Sequence, residues 1–391
     1  VKLRHPGITL NDDRAHRFAR PPTFTNEVDG ALWSPDGIFL FLAQGLENRA
    51  AGRTLVMTKG LLQITGTIDI AQFWPANQSD GDTVKVMVSH DGFKFSPDGS
   101  TASLKVTHVF SPPMVLGAET KPVAENKITV RLEHIDCAEL HYMVPKKGTK
   151  NFRQYFGETA ATKLHDLLAS TEHQLVPCKV RTFIDHPNQA FDTYGRLVGS
   201  IFITLHKEEV NVNQWLVQNG FAFPAFYNLA HVDEIKQFTK LAEEAQSGKK
   251  GLWPFVTRDL SHSDFSLVFR PEKFPYPEAD IGPVVMPKMF RRLVAWHMAQ
   301  IDDHFKGTFR DFLATQKEDC WVKTSEFLHT PNIKPFQTNL STLVSDKEVF
   351  ELGPADLVFF EKESMLVDAD ELPLEDAWWP PVKTKTARGA A

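Results

Sequence analysis

Five charged residues sit in segments that otherwise read as strand or turn. They are Asp82 in Asp80-Gly81-Asp82-Thr83, Arg131 in Ile128-Thr129-Val130-Arg131-Leu132, Asp136 and Glu139 just downstream, and Arg196 in Tyr194-Gly195-Arg196-Leu197. Hydrolysis of a phosphodiester needs a cation to neutralise phosphoryl oxygens, a base to orient water, and donors that grip the developing charge. Asp82 and Asp136 are hard oxygen ligands suited to Ca²⁺ or Mg²⁺. Glu139 can act as the base, and Arg131 and Arg196 can each offer two parallel N–H groups to a phosphate. Singly, each residue has a commoner fate as a turn, a surface ion pair or a solvated charge, so the reading rests on the set and its order. Lys146 and Lys147 can reach a neighbouring phosphate, although a solvated loop is the commoner role. A zinc cluster of His134, Cys137, Glu139 and His141 fits no common structural spacing. The chain lacks H-E-x-x-H, the P-loop, G-x-S-x-G and G-x-G-x-x-G, which sets aside those enzyme classes.

These side chains must be positioned by a compact scaffold. Around Arg131, Ile128, Val130 and Leu132 mark one strand face and Arg131 the other. Continued alternation carries Asp136 away from Arg131, so the two converge only if the strand bends or ends near Ile135, where the parity changes. Strand patterns run through 61–73, 83–89, 127–136, 176–184 and 195–203. Helical spacing occupies about 151–169, then 212–220 and 231–248, the last stopped by Gly248. Strands interleaved with three helices predict an α+β fold, an OB-type five-stranded β-barrel with packed helices.

The flanks read differently. Residues 1–60 form a small β-containing extension with strands at 31–33 and 38–43, and the barrel domain spans 61–255. Ser-Pro-Asp-Gly occurs at 34–37 and again at 96–99, which reads as two turns rather than propeller repeats. A Pro-rich linker at 256–287 leads to a mostly helical C-terminal domain at 288–365 and a tail at 366–391. In the segment 286–301, Arg291 and Arg292 read as part of an ordinary packed helix. A chain of 391 residues with 42% hydrophobic residues can hold two or three such units. Its net charge of −6 provides no chain-wide basic field, so any nucleic-acid contact must be local. Three scattered cysteines fit a reducing compartment, while a start at Val1 admits a removed leader, so the compartment stays open between cytoplasm and secretion. No apolar run approaches the roughly 18 residues of a membrane span.

The segment from about 61 to 255 resembles the staphylococcal-type thermonuclease family. The matching residues are D-G-D-T at 80–83, R-L-x-x-I-D-x-x-E at 131–139, P-K-K-G at 145–148, F-G-x-x-A at 156–160, Y-G-R-L at 194–197, V-N-x-x-L-V-x-x-G at 212–220 and G-L-W at 251–253. The resemblance implies an OB-fold barrel with three helices and Ca²⁺ held by Asp82, Asp136 and the backbone carbonyl of Cys137. It implies Glu139 as general base, Arg131 and Arg196 on the scissile phosphate, and Tyr194 on the phosphate or sugar side. The family's base-stacking aromatic falls near Phe226 and Tyr227. The implied activity is cleavage of DNA, with RNA admitted, to 3′-phosphate ends. The competing expectation is a weak or inactive nucleic-acid-binding scaffold on the same barrel.

Two departures stand out. The family's Pro between aspartate and glutamate is replaced by Cys137-Ala138, which loosens the hold on Glu139. An insertion at about 91–126 lengthens the usual short hairpin and flanks the expected site. The C-terminal domain is expected to recruit a protein partner or direct the enzyme to a substrate.

Overall fold

The computed structural model describes residues 60–73, 79–96, 98–106, 114–115, 127–145, 150–184, 187–262, 264–270, 280–316, 320–330, 339–361 and 366–367. The N-terminal extension before Gly60, Lys146 and Lys147, most of the insertion, residues 271–279 of the expected linker and the tail after Val367 lie outside the described residues.

The barrel is built from β1 (Gly60–Asp69), β2 (Thr83–Ser96), β5 (Lys127–Leu132), β7 (Leu175–Ile184) and β8 (Leu197–Leu205). Its order is β1-β7-β8-β5-β2, a further β1–β2 pairing closes the ring, and β9 (Glu208–Asn211) adds to β8. All the barrel pairings are antiparallel except β5 with β8. This closed five-stranded barrel with helices is the OB-type α+β fold that the strand pattern predicts. Alternation works as expected: Ile128, Val130 and Leu132 of β5 are buried, and Arg131 stands on the other face. The insertion begins as a continuation of β2, which runs on to Ser96 against the start of β1. Two short strands follow, β3 (Lys105–Val106) beside β2 and β4 (Met114–Val115).

Three helices pack on the barrel: α1 (Gly157–Ala169), α2 (Val212–Gln218) and α3 (Val232–Ser247). Leu164, Leu167 and Leu168 of α1, Leu216 of α2 and Phe238 of α3 join the barrel strands in one core. The second falls within the expected span, the third begins on a His231–Glu234 capping box, and the first begins six residues later than helical spacing suggests. Residues 151–156 are held instead by tertiary bonds: Phe152 bridges to Tyr142 and Val268, and Gln154 is buried. Phe156 then turns the chain into the helix with φ of 68°.

The residues after Trp253 pack directly onto this barrel. Helix α4 (Pro287–Asp302) and α5 (Phe309–Thr315) are separated by a break at Asp303–Thr308, where Thr308 caps the second helix. Strand β12 (Trp321–Lys323) leads into α6 (Thr324–His329), and β13 (Leu357–Phe359) pairs with β12. On its other edge β13 pairs in parallel with β11 (Phe226–Tyr227), immediately after β10 (Phe223–Pro224). A final strand, β14 (Leu366–Val367), pairs with β4 of the insertion. The second core mixes the two regions, with Val144 and Phe152 packed among Met289, Phe290 and Leu293 of α4.

Candidate active site

Strand β5 ends at Leu132, and a two-residue turn, Glu133-His134, leads to β6 (Ile135–Asp136), which pairs with β10. His134 has φ of 62°, a left-handed conformation that costs a β-carbon-bearing residue of order 1–3 kcal/mol. Its buried ring offsets that cost, since Nε2 lies 3.2 Å from Glu234 Oε2 and 3.9 Å from Glu133 Oε2 and the ring meets Phe238 edge-on. Burial opposes ionisation of Glu234, but His134 outweighs it and holds the carboxyl below its usual range. Ligand atoms of Glu133, His134 and Glu234 lie within 4.8 Å of one another, a spacing that could also hold a metal ion. The Glu234 oxygen nearest His134 already accepts the His231 N–H, which favours a structural ion-pair role.

The turn swings Asp136 back onto the strand it follows. Arg131 Nη2 donates to Asp136 Oδ1 at 2.8 Å, and Arg131 Nη1 lies 2.7 Å from Asp82 Oδ2. Asp82 is brought there by β2, whose Thr83 pairs with Arg131 while the Leu132 N–H donates to the Asp82 carbonyl. The Cys137 N–H and the Thr83 hydroxyl both donate to the Asp82 carboxylate. Cys137 itself is buried, and burial keeps its thiol well above the ordinary range, protonated.

Glu139 is placed by Gln154, whose side-chain oxygen accepts the Glu139 N–H at 3.1 Å and whose N–H donates to the Glu139 carbonyl at 2.8 Å. Gly157 lets α1 start against the same carbonyl, since a Cβ there would lie 2.4 Å from the Glu139 oxygen. Burial pushes the Glu139 carboxyl up to about 7, Arg291 opposes the rise, and the neighbouring aspartates add to it. Asp80 behaves similarly: burial raises it to about 6 against the pull of His141, and the Asp82 charge adds to the rise. Asp80 Oδ1 is buried and, among the described residues, accepts no hydrogen bond of good geometry, while His141 Nε2 pairs with it at 3.3 Å. Asp80, Asp82, Asp136 and Glu139 offer oxygen donors of the hard type that divalent cations take, although among the described residues the three donor atoms that close to within 4.8 Å of one another are those of Glu133, His134 and Glu234.

Arg196 reaches the same region under the control of Asp192, which accepts Nε at 2.7 Å, while Nη1 lies 3.5 Å from Thr83 Oγ1. The Tyr194 ring packs over this guanidinium and is 75% exposed. Tyr227 is half-buried, with its ring centroid 6.1 Å from that of Phe359, and burial raises its phenol well above the ordinary value. Phe226 is fully buried in the barrel core.

The expected residues Asp82, Arg131, Asp136 and Glu139 thus form one ionic cluster with Arg196 at its edge, whereas the hypothetical zinc quartet separates. His134 joins Glu133 and Glu234, and His141 joins Asp80. Sequence reasoning missed Asp80, Gln154 and above all Arg291. Arg291 Nη2 donates to Asp136 Oδ2 at 3.0 Å, and Nη1 pairs with Glu139 Oε1. Asp80 was legible as the first carboxylate of the D-G-D turn. Nothing local to Arg291 marks a partner 152 residues away.

The family described as staphylococcal nuclease homologue matches this chain over residues 129–254. The match takes in Arg131, Asp136, Glu139 and Arg196 and starts beyond the insertion, leaving Asp82 outside. It identifies a nuclease-type domain. A comparison with curated proteins found no match to the chain. Among the described residues, no helix is long and apolar enough to cross a membrane.

Proposed function

We propose, on the premise that residues 129–254 form a staphylococcal nuclease homologue domain, that the protein is a calcium-dependent endonuclease. It hydrolyses DNA by in-line attack of water and leaves 3′-phosphate ends. RNA is also admitted, because the nucleophile is water rather than a 2′-hydroxyl. The observation that carries this reading is the meeting of Asp82, Asp136 and Arg131, with Glu139 beside them, from a turn and a strand far apart in sequence.

Asp82, Asp136 and the carbonyl of Cys137 would hold Ca²⁺, with Asp80 at hand. The bound ion supplies positive charge to the phosphoryl oxygens. Mg²⁺ is the poorer candidate, because its stricter octahedral demand changes how water and phosphate are placed. Glu139, with a carboxyl near neutrality, takes the proton of the attacking water. Arg131 and Arg196 hold the phosphate, and Tyr194 lies on its exposed side. Tyr227 serves as a substrate-side aromatic, and Lys146 and Lys147 meet an adjacent phosphate.

A second reading, a weak or inactive nucleic-acid-binding scaffold, draws on one observation: guanidinium groups already neutralise Asp82, Asp136 and Glu139. Supercoiled plasmid incubated with Ca²⁺ or with EDTA separates the two. The nuclease reading expects nicking with Ca²⁺ alone, and a loss of orders of magnitude in Glu139→Gln and Arg196→Ala while the fold survives. Absence of calcium-dependent nicking supports the scaffold.

A further inference from the structure

Arg291 comes from α4, outside the segment that matches the nuclease family. Its helix is an amphipathic one whose Met289, Phe290, Leu293 and Val294 are buried in the second core. Those contacts fix the helix rotation, and Arg291 is left between core and solvent with a side chain 25% exposed. The helix is also tied to the base itself. Buried Gln154 binds the backbone of Glu139 on one side and donates to the Val285 carbonyl at 2.9 Å on the other, two residues before α4 begins. A second buried tie lies just upstream, where Asp280 accepts from Arg153 Nη1 at 3.1 Å and from the Thr159 N–H at 2.8 Å. The approach of Arg291 to the carboxylates is therefore set by packed elements on both sides.

Resting on the nuclease reading above, we infer that Arg291 is a third phosphate-binding guanidinium of the active site, donated by the C-terminal segment. A general base lies within hydrogen-bond reach of its water, and that water lies roughly 3–3.5 Å from the phosphorus it attacks. Arg291 Nη1 is paired with Glu139 Oε1, so its guanidinium lies beside the carboxylate that would meet this water and hence beside the reacting phosphate. It also donates to both Asp136 oxygens, Nη2 to Oδ2 at 3.0 Å and Nη1 to Oδ1 at 3.4 Å, the second of which it shares with Arg131. With a cation held by Asp136, Arg291 would keep its pair with Glu139, and its remaining N–H groups would be available to a phosphate oxygen. The site is then composite, and the matched domain by itself lacks one of its charge-stabilising donors.

The test uses the full chain with Arg291→Gln and Arg291→Lys, reading kcat and KM for plasmid cleavage in Ca²⁺, thermal midpoint, and Tb³⁺ luminescence for cation binding. Loss of a donor to the developing charge is expected to lower kcat by about 10²–10³-fold in Arg291→Gln with little change in KM. Arg291→Lys should recover part of that loss, and Tb³⁺ should still bind both variants. Wild-type kcat and KM in both variants would overturn the inference and leave the nuclease reading standing. Tighter Tb³⁺ binding by Arg291→Gln without loss of rate would show that Arg291 merely occupies the cation site, and would also overturn it. If both variants lose thermal midpoint and rate together and Lys rescues neither, the role is structural and the inference falls. A wild-type protein that cleaves nothing with Ca²⁺ would remove the nuclease reading and this role with it.

Discussion

Glu139 and Asp80 illustrate how burial and charge compete at a single side chain. Burial raises both carboxyls, to about 7 and about 6, although Arg291 and His141 pull the other way. Asp136, the most enclosed of the three, goes down because Arg291 and Arg131 together outweigh its burial. The stability consequence follows from linkage. A carboxyl raised in the folded state binds its proton more tightly than in the unfolded chain, so its contribution is present at low pH and is lost as pH rises through the folded value. In EDTA, thermal midpoint is therefore expected to fall as pH rises from about 4 to about 7, the window between the unfolded and folded values of these two groups. Glu139→Gln should flatten that slope, and an unchanged slope in differential scanning fluorimetry would show that Glu139 is not its source. Asp136 works in the opposite sense and protects the fold until the pH drops below its unfolded range.

At the level of elements, the site depends on two close approaches of backbone. One is the Glu133-His134 turn, where a left-handed histidine ends β5 and returns Asp136 to Arg131. The other is the start of α1 against the Glu139 carbonyl, possible because residue 157 has no Cβ. Gly157→Ala should push that carbonyl away, at a stability cost of about 1–3 kcal/mol. Because the same backbone carries the base, cleavage should fall at least about tenfold, as small misplacements of catalytic groups are costly. Unfolding curves and plasmid kinetics on one preparation would check both effects. Normal cleavage together with reduced stability would mean that Glu139 tolerates the shift.

Across the whole molecule, the C-terminal segment is bound to the barrel by a strand pairing and by buried charge. Strand β13 lies against β11, and Asp280 bonds Arg153 and Thr159 with both ionised partners almost completely buried. Removing one partner of such a pair leaves the other charge uncompensated, a loss of about 3–5 kcal/mol. Asp280→Ala is expected to lose stability on that scale and, by loosening the approach to α4, to expose the region around 280–290 to limited proteolysis. Protease resistance equal to wild type would show that β13 and the second core hold α4 without this pair.

The alternation in β5, the D-G-D turn and the spacing from Arg131 to Glu139 were readable along the chain because each is a local property. Strand period, turn chemistry and residue type need no knowledge of distant partners. The OB-type barrel followed from the same local patterns, and so did the carboxylate and arginine set. The late start of α1 was not readable, because bonds from Tyr142, Val268 and Gln154 override helical spacing at 151–156. Nor was the place of Arg291, whose surroundings in sequence are those of any amphipathic helix. An ion pair between residues 152 positions apart leaves no periodic trace in either segment, so only the packing of α4 on the barrel could bring that guanidinium to Asp136 and Glu139.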